Sequence, residues 1–413
     1  MMTATTGSKD RISGLDVTRG FAVMGILAMN IVAFSMPENA YINPIVWGGD
    51  SGIDLWTWAT GFVLFDSKMR GLFSIMFGAS TLLVIQSAAA AARNPARAHY
   101  ARMAVLAVFG LIHFYLIWYG DILFLYAMMG MILYAFRNVG VKALAGWGIA
   151  LNLLSAIVWG GGMAMLMMGA SPSASPQLAE DYASFTAEFG PNSSISNEEI
   201  ALHRSGFIDI AEHKLAEELA YPFFGLFVYG PDTLGLMMIG MALFKSGLLR
   251  GEWSLDRLAK WRNICLAIGI TGNLLLLWWQ LSADLEPALV LGSTLGFSVP
   301  FDVTMSVGYA ALFMGLAQRF AASDFIQRVG AAGRAAFTNY LGTSLLMTFI
   351  FYGWGLGQYG HWSRAAVYIP VVFAWAIMLL WSKPWLERFH YGPLEWLWRS
   401  LSRGQLQQMR KSQ

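Results

Sequence analysis

RMAVLAVFGLIHFYLIWYGDILFLYAMMG, residues 102–130, decides the fold of this chain. It joins two apolar runs, 102–119 and 121–137, through Tyr119, Gly120 and Asp121. A helix needs about 20 apolar residues to cross the hydrocarbon core of a bilayer. Both runs are of that order, and eight more lie outward from them, near 19–36, 71–92, 143–168, 226–246, 262–281, 299–318, 335–353 and 365–382. The fold class expected is therefore all-α: a polytopic membrane protein of about ten transmembrane helices, with interfacial helices between them. The stretch 53–69, IDLWTWATGFVLFDSKM, is apolar but ends in Asp66, Lys68 and Arg70. It reads as a short interfacial or re-entrant helix leading into the second span, because 53–92 as one helix would be about 60 Å long.

Composition agrees. Of 413 residues, 56% are hydrophobic and 13% charged, against about 25% charged in an ordinary soluble domain. A soluble enzyme is excluded. Lys+Arg 27 against Asp+Glu 25 leaves a net charge of +2, with no concentrated basic surface for nucleic acid. The single cysteine, Cys265, excludes an internal disulfide and a cysteine metal cluster.

Lys and Arg orient the spans, since cytoplasmic loops carry the excess. Lys9, Arg11, Arg93, Arg97, Arg137, Lys142, Lys245, Arg250, Arg257, Lys260, Arg262, Arg319, Arg328, Arg334 and the tail from Arg399 to Lys411 fall on one side, against Arg204, Lys214 and Arg364 on the other. Both termini are therefore expected in the cytoplasm, in a bacterial inner membrane. The organisation expected is a cytoplasmic segment 1–18, a helical membrane domain 19–398 and a basic cytoplasmic tail 399–413. The longest loop, 169–225, faces outward. Within it Ile200, Phe207, Ile208, Ala211, Leu215 and Leu219 recur near helical spacing, which predicts a helix on the interface. The N-terminal run reads as an uncleaved first span rather than a signal peptide.

Ionisable groups inside spans are costly and face protein or a wet cavity. By depth, Asp16, Arg19, Arg102 and Arg334 sit at the inner ends, and Asp66, Lys68, Arg70, Asp121, Asp232 and Asp302 at the outer ends. Asn30, His113 and Asn339 lie between. Asn30 is eleven residues beyond Arg19 and His113 eleven beyond Arg102, each about 16 Å deeper. His113 is a candidate base, or only a histidine bonded across helices. Asp121 follows it by two turns, and either pairs with it or caps the following helix. Asp16–Arg19 is either an i,i+3 ion pair at a helix end or part of a ligand site. The three inner arginines would form an anion site if the bundle gathers them. GRAAFTNY places Arg334 on the first turn of the ninth span and Asn339 deeper, where an amide also bonds helix to helix.

LDVTRGFAVMGILAMN, LFSIMFG, the stretch 102–130, GRAAFTNYL and GPLEWLWR, spread from Leu15 to Arg399, resemble in order the YeiB-like family, domain-of-unknown-function family 418. More distantly, Asp-x-x-Arg-Gly before an apolar span is similar to the first helix of the transmembrane acyltransferase superfamily. That likeness implies an acyl group passed from cytoplasmic acyl-CoA or acetyl-CoA, as co-substrate, to an acceptor at or beyond the membrane. The sequence departs from that pattern. The O-acyltransferases place a histidine fourteen residues after the motif aspartate, where this chain has Asn30. The related heparan enzyme uses a histidine in the next outer loop, and the loop PENAYINPIVWGGD has none.

On this reading His113 is the base or acyl carrier, with Asn30 and Asp121 beside it. Asn30 and Asn339 donate to the oxyanion, and Arg19, Arg102, Arg334 and Asn339 make up the donor site. Asp66, Arg70, Asp232 and Asp302 shape the acceptor vestibule, and Asp16 belongs to the structural motif. The partners expected are the bilayer, a small-molecule, glycan or lipid acceptor, and a second copy in a homo-oligomer. Two other functions use the same groups: a transporter or flippase, which ordinarily shows inverted repeats not visible here, and an inactive binding or regulatory protein.

Overall fold

The computed structural model describes residues 11–191 and 193–411; Lys9 lies outside them. Eighteen α-helices follow in order. They are α1 Arg11–Ser35, α2 Glu38–Ile42, α3 Gly52–Leu64, α4 Lys68–Ala90, α5 Pro95–Leu116, α6 Leu123–Leu133, α7 Val141–Met167, α8 Pro176–Glu188 and α9 Ser194–His203. The second half holds α10 Phe207–Ala216, α11 Tyr221–Lys245, α12 Leu255–Ser282, α13 Pro287–Gly292, α14 Val299–Arg319, α15 Asp324–Arg334, α16 Ala336–Phe351, α17 Tyr368–Arg388 and α18 Pro393–Arg403. Among the described residues the only β-pairing is an isolated bridge between Phe389 and Arg410. This is an all-α polytopic membrane protein.

Among the described residues eight helical stretches are long and apolar enough to cross a membrane, one of them Gly52–Ala90. Within that stretch the expected break is present: α3 ends at Leu64 and Ser67 adopts a left-handed φ of 61° before α4. All ten expected spans correspond to helices, but the fourth and ninth are the shorter apolar helices α6 and α16. The first begins late because Asp121 starts α6 only at Leu123. The second, expected over 335–353, is α16 at Ala336–Phe351, preceded by a separate helix over Asp324–Arg334.

Packing explains that helix. α15 presents Val329, Gly330 and Gly333 to the first turns of α1, so close that a Cβ on Gly333 would stand 1.9 Å from the Asp16 carbonyl. A Cβ on Gly20 would stand 2.1 Å from the Val329 carbonyl. The chain turns at Ala335 and restarts as α16, so Arg334 ends α15 rather than opening the ninth span. In 169–225 three helices replace the single one expected, with α9 and α10 separated at Arg204–Gly206. Ile200 and Ile210 are buried on the body, whereas Phe207, Ile208, Leu215 and Leu219 are exposed. Neither the 1–18 nor the 399–413 boundary marks a break in the chain: α1 runs continuously through residue 18, and Arg399 lies inside α18.

Candidate functional site

At the end carrying loop 169–225, a cavity of about 240 Å³ lies among α1, α4, α7, α11, α14, the α5–α6 corner and a π-helical turn, Ser293–Phe297. Its walls include Asn30, Arg70, Asp121, Asp232 and Asp302, five residues that the sequence singled out.

The corner is built by the sequence quoted first. α5 stops at Leu116, and Ile117 and Trp118 both donate their amides to the His113 carbonyl. Asp121 then does two things at once. Its Oδ2 accepts the Phe124 amide at 2.8 Å, capping α6, and its Oδ1 lies 2.8 Å from His113 Nδ1. Pair and cap were alternatives in the sequence; one carboxylate serves both. In the neutral imidazole that donates Nδ1–H to this carboxylate, Nε2 keeps its lone pair. Nε2 is buried and has no partner among the described residues. His113 does not itself line the cavity, but Asp121, Phe114, Trp118 and Gly120 do, and the Trp118 ring stands 6.2 Å from the imidazole. Asn30 lines the cavity with its amide unbonded among the described residues. No hydrogen bond joins Asn30 to His113.

The outer carboxylates do not form one acidic group. Arg70 pairs with Asp232 at 2.6 Å and also bonds Thr233. Lys68, which the sequence left without a role, pairs with Asp302 at 2.8 Å, and Asn273 and Ser298 bond the same carboxylate. Asp66 lies in a separate small recess with Arg364 and Tyr368, reached by the Tyr41 hydroxyl at 3.5 Å. The vestibule is thus two neutralised pairs, with Asp66 apart.

The opposite end gathers arginines. Arg19 bonds Asp16 at 3.1 Å and Ser80 at 2.9 Å. Arg102 lies over the Trp398 ring at 4.2 Å. Arg334 is exposed at the end of α15. Asn339 belongs to neither site: it donates to the Ala332 carbonyl and Ser382 and accepts from Trp381, so its amide is used in joining α15, α16 and α17. Between the two ends, Phe109 packs edge-on against Phe337, which in turn meets Trp398. Neither Arg19 nor Arg102 lines the cavity.

Sequence reasoning missed the cover. Glu38 lines the cavity and accepts the Tyr221 hydroxyl at 2.7 Å, while its own amide donates to both oxygens of Glu199 on α9. The Tyr359 hydroxyl also donates to Glu199, at 2.9 Å. Burial pushes the Glu199 carboxyl up to about 7. His203, stacked on Tyr359, is held down to about 3, by burial first and by Lys214 and His213 as well. Lys214 is itself lowered by burial to about 8 and donates to the Phe114 carbonyl beside His113. No local motif announces these residues, because their hydrogen bonds to Glu38, Glu199 and Phe114 join positions a hundred or more apart.

Fold and site define a class: an all-α integral membrane protein that holds a buried His–Asp pair behind a polar cavity at one end and an arginine group at the other. The chain belongs to the YeiB-like family. A family model described as "Protein of unknown function (DUF418)" matches residues 243–405. The uncharacterized protein YeiB of Escherichia coli (strain K12) is 33% identical over 403 residues, covering 94% of this chain and 95% of that one. The uncharacterized protein YxaH of Bacillus subtilis (strain 168) is 30% identical, covering 96% and 95%. No solved structure matches this chain.

Proposed function

We propose that this protein is an integral membrane acyltransferase of the bacterial cytoplasmic membrane, with both termini cytoplasmic. It passes an acyl group from acyl-CoA to a hydroxyl or amino acceptor, on a sugar or a lipid, in the outward cavity. The observation that carries this reading is His113: Nδ1 held by Asp121, Nε2 buried and without a partner. In the step proposed, Nε2 takes the acceptor proton as the acceptor atom bonds to the thioester carbon. The C–S bond then breaks, and the CoA thiolate leaves and recovers that proton. Asn30, its amide unbonded beside the cavity, donates to the developing oxyanion. Arg19 and Arg102, with Arg334 at the rim, hold the donor's phosphates, to which guanidinium is suited. The Phe109–Phe337 contact lies between these arginines and His113, so transfer requires that aromatic layer to open.

The test is acyl-CoA turnover by purified protein, wild type against His113→Ala. A loss of about 100-fold or more is expected for a general base; unchanged turnover removes His113 from the chemistry. A second reading, transport, is favoured by the broken helices around the cavity, namely Pro231 inside α11 and the π-helical turn before α14. Flux of a solute in proteoliposomes without covalent change would support it.

A further inference from the structure

The arginine end holds more positive charge than its carboxylates answer. Arg19 is matched by Asp16. The guanidiniums of Arg102 and Arg399 make no hydrogen bond or ion pair among the described residues; they lie over the rings of Trp398 at 4.2 Å and Tyr391 at 4.5 Å. Stacking fixes a guanidinium plane and leaves its N–H edge free for an acceptor. Arg403, one turn beyond Arg399 on α18, bonds only the neutral Gln407. Arg19, Arg399 and Arg403 all lie close enough to repel Arg102. The one other nearby carboxylate, Glu395, is occupied by the amides of Phe337 and Thr338 and the Thr338 hydroxyl. Four guanidiniums from three helices therefore share one carboxylate, Asp16, which is already paired with Arg19.

We infer that Arg19, Arg102, Arg399 and Arg403 form a phosphate-binding site for a ligand carrying at least two negative charges, with α18 supplying half of the donors. A monoanion would leave most of the repulsion standing, whereas a pyrophosphate or a phosphodiester flanked by further charge would relieve it. Burial and the neighbouring Arg403 and Arg19 already weaken the hold of Arg399 on its proton, which an anion would restore. Two sources share this chemistry. One is the pyrophosphate of a soluble cofactor such as coenzyme A, which would extend the donor site proposed above. The other is an anionic lipid headgroup, reached from the bilayer surface on which the exposed Leu401 and Leu406 would rest.

The experiment uses the full chain in nanodiscs of phosphatidylcholine. Binding of inorganic pyrophosphate and of coenzyme A is measured by calorimetry for wild type, Arg399→Gln, Arg403→Gln and Arg250→Gln, the last an arginine already paired with Glu252. Thermal stability is then compared in discs with and without cardiolipin, whose headgroup carries two phosphodiesters. Salt-sensitive binding of a soluble probe, weakened tenfold or more by either α18 variant and unchanged by Arg250→Gln, supports a soluble ligand. Stabilisation by cardiolipin that the α18 variants lose, without soluble binding, supports the lipid. Equal behaviour of wild type and α18 variants toward every probe overturns the inference. Turnover is not the readout, so phosphate binding by a protein that transfers no acyl group would sink the proposed function and leave this site standing.

Discussion

Asp121 illustrates how a single carboxylate can hold a site together. It fixes the histidine through one oxygen and starts a helix through the other. Asp121→Asn should keep the cap in part, because an amide oxygen still accepts, but it removes the charge that favours Nδ1–H. Turnover is expected to fall by about 100-fold, with α6 still helical by circular dichroism. Lys68 carries a different prediction. Its amine is buried between the Phe62 carbonyl, Asn273 and Asp302. Lys68→Met leaves Asp302 buried without its cation, and the expected loss is about 3–5 kcal/mol of stability, read from thermal denaturation in detergent. A variant as stable as wild type would mean that Asp302 is protonated or hydrated in place. Neither role follows from position in the sequence alone: Lys68 looks like an ordinary interfacial lysine until α12 and α14 are brought against it.

Helices α1 and α15 show why element boundaries escaped the sequence. GRAAFTNYL reads as the mouth of one span, since every residue around it suits a helix. What divides it is the close approach of Gly20 and Gly333 to the partner backbone, which holds α15 at α1 and sends α16 off separately. Gly333→Ala would drive a methyl into the Asp16 carbonyl. Overpacking of this kind costs about 1–3 kcal/mol, and because Asp16 carries Arg19 the variant should also disturb the arginine end. Glu395 secures the other side of the break by capping the first amides of α16. Glu395→Ala should cost about 1 kcal/mol, measured as a fall in denaturation temperature, whereas Glu387→Ala on α17, which makes no such cap, should not.

Across the whole molecule, the outward loop is a folded cover whose grip depends on pH. Folding favours the protonated form of Glu199, raised from 4.5 to about 7, so its contribution is full below 4.5 and lost as pH rises through 7. Folding favours neutral His203, lowered from 6.5 to about 3, so its contribution is full above 6.5 and lost as pH falls toward 3. Between 4.5 and 6.5 the two oppose each other. Below 4.5 the His203 loss runs on alone. Amide exchange in Ser194–His203, corrected for its intrinsic pH dependence, should therefore rise as pH drops from 4.5 to 3, and His203→Phe should abolish that rise. An equal rise in the variant would place the acid response elsewhere.

The sequence by itself determined the solvent of this protein and the positions of most of its spans, because hydrophobic length and the scarcity of charge are local quantities that the bilayer reads directly. It also marked His113, Asp121 and Asn30, since polar groups stand out against an apolar background. Tertiary structure alone decided their partners. It gave Lys68 to Asp302 and Arg70 to Asp232, turned Asn339 into a helix joint, brought Arg399 and Arg403 beside Arg102, and set Glu199 over the cavity. Each of these rests on contacts between distant segments, and most of the polar groups concerned are buried or half-buried. In low dielectric such groups must find a counter-charge or a hydrogen bond, and only the packed chain determines which one is within reach.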